Sequence, residues 1–353
     1  MHNTPHRLLE IIKLALWDKA IDESQLSSLD YKEWLGLYQC ACVQGVAAIF
    51  FDGVDKLQKK SKACRRLLSN VGVQSVLGSE KRWLGQMQVA TALSVKFKKH
   101  GLQMLLLKGL GLSLCYPNPK HRECGDIDIY LFGDYEKGNR IAEQKLGGKV
   151  VEFSKKEDHI EIGDFSIDNH KDFLWTASKN NREINKYLRS LLKEDKLPKL
   201  LDTDILLPTA EFNLFFLIVH SFGHFMREGM SLRQMTDIAC FLEKNEEKLD
   251  WQGCIETLQR FRLKRFADGI ISFIKHYFGL TFSYAPSVET VLLERMKDDI
   301  MRQSHAVVYH KTRLTSKLYI ARNACKSRWR YDAFYEGGFS RYIIDAVKSQ
   351  IYL

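Results

Sequence analysis

Gly125-Asp126-Ile127-Asp128-Ile129-Tyr130-Leu131 sets two carboxylates two residues apart in a run rich in strand-forming side chains. Successive side chains on a strand point to opposite faces. Asp126 and Asp128 therefore share one side, while Ile127, Ile129 and Leu131 face a core. Carboxylates fixed side by side repel each other unless a cation lies between them. Hard divalent ions with oxygen ligands, Mg²⁺ above all, suit that arrangement. An isolated Asp-x-Asp is weak evidence, since many such pairs are solvated strand ends, so the meaning of this pair rests on what surrounds it.

Upstream, Leu102–Leu107 is a continuous apolar run of the kind that forms a buried strand. It leads into Lys108-Gly109-Leu110-Gly111 and a short predicted helix over Leu110–Tyr116, ended by Pro117 and Pro119. A strand-to-helix junction presents backbone N–H groups to an anion, and Gly109 permits close approach of a phosphate. Lys108 or Arg122 would neutralise its charge. Downstream, the pattern predicts a helix over Tyr135–Leu146, stopped by Gly147-Gly148, and a strand over Lys149–Phe153.

A hairpin follows, with a register that can be argued. His159-Ile160-Glu161-Ile162 and Phe165-Ser166-Ile167-Asp168 both alternate, and only Gly163-Asp164 separates them. Closing the turn there pairs Ile162 with Phe165, Glu161 with Ser166, Ile160 with Ile167, and His159 with Asp168. The apolar side chains then share one face, and a one-residue slip would destroy the agreement. Asp168 belongs to the polar face, beside His170 and opposite His159. Asp126, Asp128 and Asp168 can be placed as a carboxylate triad on adjacent strands of one sheet, and three such carboxylates can hold one or two Mg²⁺ ions. Relief of mutual repulsion is expected to leave Asp126→Asn and Asp128→Asn at least as stable as the wild type without metal.

The 353 residues are 45% hydrophobic and 27% charged, with no low-complexity segment or internal repeat. Mean hydropathy is −0.26. The apolar run near the amino terminus is interrupted by Lys13, unlike a signal peptide, and Phe212–Val219 is too short to span a bilayer. The eight cysteines form no C-x-x-C pair and read as small buried hydrophobes in a reducing cytoplasm. A formal charge of +10 favours acidic partners such as nucleotides or nucleic acid. Basic residues cluster at Lys56–Arg66 and Arg302–Arg330. Helical patterns dominate both flanks, with Val73–His100 ending at Gly101, and further helices over Thr209–Arg227, Ser231–Lys244, Trp251–Phe261 and Arg265–Phe278. The expected organisation is an N-terminal helical region over 1–100, an α/β core over 101–175 and a C-terminal helical domain over 176–353. The fold class is α+β.

The sequence resembles the uncharacterised bacterial nucleotidyltransferases of the DNA polymerase β-like superfamily, often found near polysaccharide and natural-product biosynthesis genes. The resemblance runs through Leu105-Leu106-Leu107-Lys108-Gly109, Tyr116-Pro117, Arg122 and Gly125-Asp126-Ile127-Asp128. It continues through His220, His224, Leu232-Arg233, Asp237-Ile238 and Asp250-Trp251, covering about residues 30 to 280. Two positions depart from the pattern. Leu110 follows Gly109 where the wider superfamily has Gly or Ser, and Asp168 stands where this family more often has Glu. The resemblance implies a minimal nucleotidyltransferase mixed sheet, with Mg²⁺ as cofactor and a nucleoside triphosphate as substrate. Asp126, Asp128 and Asp168 would bind metal, and Lys108, Gly109 and Arg122 would bind nucleotide. The acceptor is a small molecule, a glycan precursor, an RNA or a protein.

His220 and His224 stand four apart on one helix face, but Ser221-Phe222-Gly223 between them lacks the Glu of a zinc-protease motif. They read as a packed or substrate-facing pair and, with Arg233, as acceptor-cleft candidates. Tyr319, Trp329 and Tyr331 in the basic carboxy-terminal stretch are compatible with stacking on nucleic acid, or with helices whose aromatics face inward. Two other readings stand beside transfer to a metabolite. One is a toxin-like transferase acting on RNA or protein; the other is a non-catalytic nucleotide-binding scaffold.

Overall fold

The computed structural model describes residues 4–176, 178–193, 196–200, 202–302, 322 and 324–351. These form two compact units. One comprises Leu77–Leu217 with Glu247–Leu249; the other comprises Met1–Val76, Ile218–Glu246 and Asp250–Ile351. The units do not follow the expected three consecutive regions. The amino-terminal and carboxy-terminal helical segments belong to the same unit, and 77–100 and 176–217 belong with the sheet. The divisions at Val76/Leu77 and Leu217/Ile218 fall inside the helices Val73–Lys99 and Ala210–Arg227. Continuous helical periodicity gives no sign of such boundaries.

The sheet unit is built on six strands: β1 (Met104–Leu106), β2 (Ile127–Tyr130), β3 (Lys149–Phe153), β4 (Glu157–Ile162), β5 (Phe165–His170) and β6 (Ile205–Leu206). Their order is β3-β4-β5-β2-β1-β6. β2 runs parallel to β5 and β1 parallel to β6, whereas β1–β2, β3–β4 and β4–β5 are antiparallel. The sheet is mixed, and the fold is α+β as expected.

The hairpin register matches the sequence reading residue for residue, with His159 opposite Asp168, Ile160 opposite Ile167 and Ile162 opposite Phe165. Gly163 has φ 57°, the left-handed conformation that its place in the tight turn requires. Ile127, Ile129, Ile160 and Ile167 point to one side. There they pack with Ile141 and Ala142 of the helix Tyr135–Leu146 and with Ala90, Leu93 and Phe97 of the long helix. At about 25 cal/mol per Å² of buried apolar surface, this packing is the main force holding the sheet against its helices. The same helical side also holds a polar network. Asn169 donates to Asn139 Oδ1 (2.7 Å) and to the Tyr135 carbonyl (3.0 Å), while Asn139 donates to Asp158 Oδ2 (2.7 Å).

The opposite face carries Asp128 and then Tyr130, whose ring packs 4.9 Å from Phe173. Phe173 in turn stacks edge-on to Phe212 and Phe216. An aromatic block therefore closes one end of the polar face.

In the helical unit, the helix Tyr31–Val43 starts with a capping box between Asp30 and Glu33. The helices Thr4–Trp17 and Ala47–Lys56 cross so closely at Gly53 that an added Cβ would lie 2.2 Å from the Ile11 carbonyl oxygen. Buried Gln44 donates to the Ile300 carbonyl (2.9 Å) and accepts from the Leu232 amide (2.7 Å), joining three segments far apart in sequence. Trp329 and Tyr331 face inward: Trp329 packs on Phe225, and Tyr331 is 1% exposed. Tyr319 lies outside the described residues. All eight cysteines are free, and no helix among the described residues is long and apolar enough to cross a membrane.

Candidate active site

β2 and β5 lie side by side in parallel register, which sets Asp128 directly beside Asp168 and Tyr130 beside His170. Alternation along β5 and β4 brings Asp168 and His170 to one face with His159 and Glu157 from the hairpin partner. Asp168 Oδ1 accepts from His159 Nδ1 at 2.8 Å, and His159 Nε2 is 3.2 Å from the Ser166 hydroxyl. The fully buried ring of His170 reaches Asp128 Oδ1 with Nε2 (3.0 Å) and the Asp172 carbonyl with Nδ1 (3.2 Å). Glu157 Oε2 stands 3.4 Å from the same Nε2. One ligand-capable atom from each of Asp128, Asp168 and His170 lies within 4.8 Å of the others. It is the one such group of three found among the described residues.

Lys108 and Gly109 arrive from β1, whose antiparallel pairing with β2 sets the junction beside Asp128. Lys108 Nζ lies 2.8 Å from Asp128 Oδ1, and its side chain is only 18% exposed. Gly109 has φ 31° and ψ −107°, outside helical geometry although it sits in the short helix Lys108–Ser113. A Cβ there would lie 3.0 Å from Cys124 Sγ, 3.4 Å from the Asp126 carbonyl oxygen and 3.5 Å from Asp128 Oδ2. The glycine is therefore required twice, by its backbone conformation and by its neighbours.

Asp126 stands one residue ahead of β2 and is exposed. The loop that delivers it is pinned from the long helix. Arg82 donates to the carbonyls of Cys124 and Gly125 (both 2.9 Å), and buried Gln86 donates to the Gly125 carbonyl (3.0 Å). Arg122 lies buried in the same loop, with Nη1 donating to the Glu123 carbonyl at 3.1 Å.

The two carboxylates of the Asp-x-Asp pair are held in opposite electrostatic states. Burial alone would raise the Asp128 pKa, but the Lys108 ammonium and the His170 hydrogen bond outweigh it and hold the carboxyl well below its usual range. For Asp126, partial desolvation by the surrounding protein raises the pKa although its surface is exposed, and the negative charges of Asp168 and Asp128 push it the same way. Asp168 is likewise raised by burial and by Asp128, with the His159 hydrogen bond pulling against them. His159 is raised, burial notwithstanding, because Asp168 accepts its proton-bearing nitrogen and supplies a negative charge. Four carboxylates thus gather on this face, with the Lys108 ammonium against Asp128 and the Lys156 ammonium 2.7 Å from Glu157 Oε2.

Asp126, Asp128, Asp168, Lys108, Gly109 and Arg122 all belong to the sheet unit, whereas His220, His224 and Arg233 belong to the helical unit. His220 and His224 pack edge-on, with ring centres 4.6 Å apart, and His224 Nδ1 lies 3.7 Å from Glu228. Arg233 lies against Gly45 near the start of the helix Leu232–Asn245. Sequence reasoning did not single out Glu157, Arg82 or Gln86. Continuing the hairpin alternation two residues past His159 would have found Glu157. Arg82 and Gln86 are a polar i, i+4 pair whose role needs the fold to be seen.

No curated protein matches the chain. Among solved structures, it is similar to ANT(2″)-Ia crystallised in complex with adenylyl-2″-tobramycin, at 14% identity and a TM-score of 0.37, over 51% of this chain and 97% of that one. The solution structure of the antibiotic-resistance factor ANT(2″)-Ia is similar at 15% identity and a TM-score of 0.36, over 51% and 94%. Residues 30–279 match the profile of a family described as "Uncharacterised nucleotidyltransferase". That match spans well over half of the sequence and contains both the carboxylate strand and the Lys108-Gly109 junction, so the chain belongs to this nucleotidyltransferase family.

Proposed function

We propose that the enzyme transfers a nucleoside monophosphate from a nucleoside triphosphate to a hydroxyl-bearing acceptor, with Mg²⁺ held by Asp126, Asp128 and Asp168. The observation that carries this reading is the pairing of Asp128 with Asp168 on adjacent parallel strands, beside the glycine of the Lys108-Gly109 junction, whose Cβ position lies 3.5 Å from Asp128 Oδ2. The donor set fits the ion: carboxylate oxygens suit a hard divalent cation, and ligand atoms of Asp128, Asp168 and His170 already lie within 4.8 Å of one another. When bound, Mg²⁺ would offset the triphosphate charge and acidify the attacking hydroxyl.

The chain's own groups have separate tasks in this reading. Gly109 lets the backbone approach the phosphates, and Lys108 with Arg122 supplies positive charge to them. Asp168 completes the site as a metal ligand or as the general base that accepts the proton of the attacking hydroxyl. His159 fixes the orientation of that carboxylate through the 2.8 Å hydrogen bond. Pyrophosphate leaves as the new phosphoester forms.

The test is pyrophosphate release with Mg²⁺, each nucleoside triphosphate in turn, and a panel of sugars, amino alcohols, RNA and protein as acceptors. Release that needs both Mg²⁺ and one acceptor class, and that Asp126→Asn abolishes, is expected. Release undiminished in Asp126→Asn would overturn the assignment.

A further inference from the structure

The centre of the acidic face is not open in the sense that the sequence suggests. Asp128 Oδ1 is contacted twice, by Lys108 Nζ at 2.8 Å and by His170 Nε2 at 3.0 Å. His170 is fixed from behind by the Asp172 carbonyl and is fully buried, so it cannot leave. Lys108 differs. It has a flexible four-carbon stem, a side chain 18% exposed, and a backbone attached to the non-helical Gly109. Its ammonium is a single positive charge placed where the carboxylates most need one. A divalent ion on Asp128 would meet that ammonium at the same carboxylate, and two cations at such separation repel strongly in a partly dry site.

We infer that Lys108 is a positioning residue that makes metal binding conditional on nucleotide. The inference rests on the metal–nucleotide reading above and adds an order to it. Without nucleotide, the Lys108 ammonium serves as the counter-ion of Asp128 and keeps free divalent ions out. A triphosphate gives the ammonium a second anionic partner. The stem then swings from Asp128 to a phosphate oxygen and vacates the carboxylate for the ion that arrives with the nucleotide. Metal and nucleotide are thereby coupled through one side chain, and coupling between two binding sites is reciprocal.

The experiment measures that coupling. Mn²⁺ binding is followed by the loss of its free electron paramagnetic resonance signal, with and without each ribonucleoside α,β-methylene triphosphate, in wild type and in Lys108→Gln. Glutamine keeps a hydrogen-bond donor for Asp128 Oδ1 and removes the charge, so it is milder than Lys108→Met. Lys108→Arg keeps the charge and serves as the rescue variant. In wild type, nucleotide should tighten Mn²⁺ binding by about tenfold or more. Lys108→Gln should bind Mn²⁺ without nucleotide about tenfold more tightly than wild type and lose most of the nucleotide enhancement. Lys108→Arg should retain it. A second readout keeps the test decisive if Lys108→Gln folds poorly: Mn²⁺ alone should raise its melting temperature more than it raises that of wild type. If wild type binds Mn²⁺ with nucleotide but Lys108→Gln shows unchanged or weaker nucleotide-free Mn²⁺ binding, the gating role is overturned and the metal–nucleotide reading survives. If no protein binds Mn²⁺ in the presence of nucleotide, both fall.

Discussion

Asp128→Asn should destabilise the metal-free protein, whereas the same change at Asp126 should leave it as stable or more so. The two residues are alike in sequence and opposite in setting. The Asp128 side chain is 6% exposed and is the anionic partner of a largely buried lysine and a fully buried histidine. Removing one partner of a buried ion pair costs about 3–5 kcal/mol, because the other charge is left without compensation. Lys108 keeps some contact with water, which places the expected loss near the lower end, at about 3 kcal/mol. That is roughly a hundredfold change in the ratio of folded to unfolded molecules. The sign follows from the depressed pKa of Asp128 in the folded state. Its contribution is fully present above the ordinary aspartate pKa of about 3.9 and is lost as pH falls below it. The deficit of the variant should therefore be largest at neutral pH and shrink on acidification. Asp126, raised by partial desolvation and by its acidic neighbours, resists ionisation in the folded state, so neutralising it costs nothing. Urea unfolding at pH 7.5 in chelator, followed by circular dichroism, separates the two. Asp128→Asn as stable as wild type, or Asp126→Asn losing as much as Asp128→Asn, would refute the assignment of opposite electrostatic states.

Gly109→Ala should lose about 2 kcal/mol of stability, since an L-residue is strained at this positive φ and its Cβ meets Cys124 Sγ at 3.0 Å. It should also weaken metal-dependent nucleotide binding, which calorimetry would detect; a variant that binds like wild type would separate this glycine from the site. Gly53→Ala, in the middle of a helix, would ordinarily stabilise by about 1 kcal/mol. Here the new methyl would stand 2.2 Å from a backbone oxygen of the neighbouring helix, so a net loss of about 2 kcal/mol on urea unfolding is expected, and a gain would refute the close crossing.

Much of the site was legible because strand alternation is a strict period. Once Gly163-Asp164 was read as a two-residue turn, the pairing of His159 with Asp168 followed, and the structure has it. The adjacency of β2 and β5 did not follow from any local signal. It places Asp128 beside Asp168 through a parallel pairing across about forty residues, which only the whole sheet determines. The same limit explains the misjudged electrostatics of the Asp-x-Asp pair. Alternation put both carboxylates on one side and suggested mutual repulsion, but Lys108 from the junction after β1 and His170 from β5 reach Asp128 and reverse its state. The two-residue β6 carries too little sequence to show a period at all. The unit boundaries were hidden for a different reason, since they fall within unbroken helices rather than at linkers.

The most direct test of the central assignment is calorimetric titration of the wild-type protein with a non-hydrolysable nucleoside triphosphate, once with Mg²⁺ and once with chelator, repeated on Asp126→Asn. Binding that appears only with Mg²⁺, and that disappears in the folded Asp126→Asn variant, is the predicted result. Equal affinity in chelator, or undiminished Mg²⁺-dependent binding by Asp126→Asn, would contradict a metal–nucleotide site on this face.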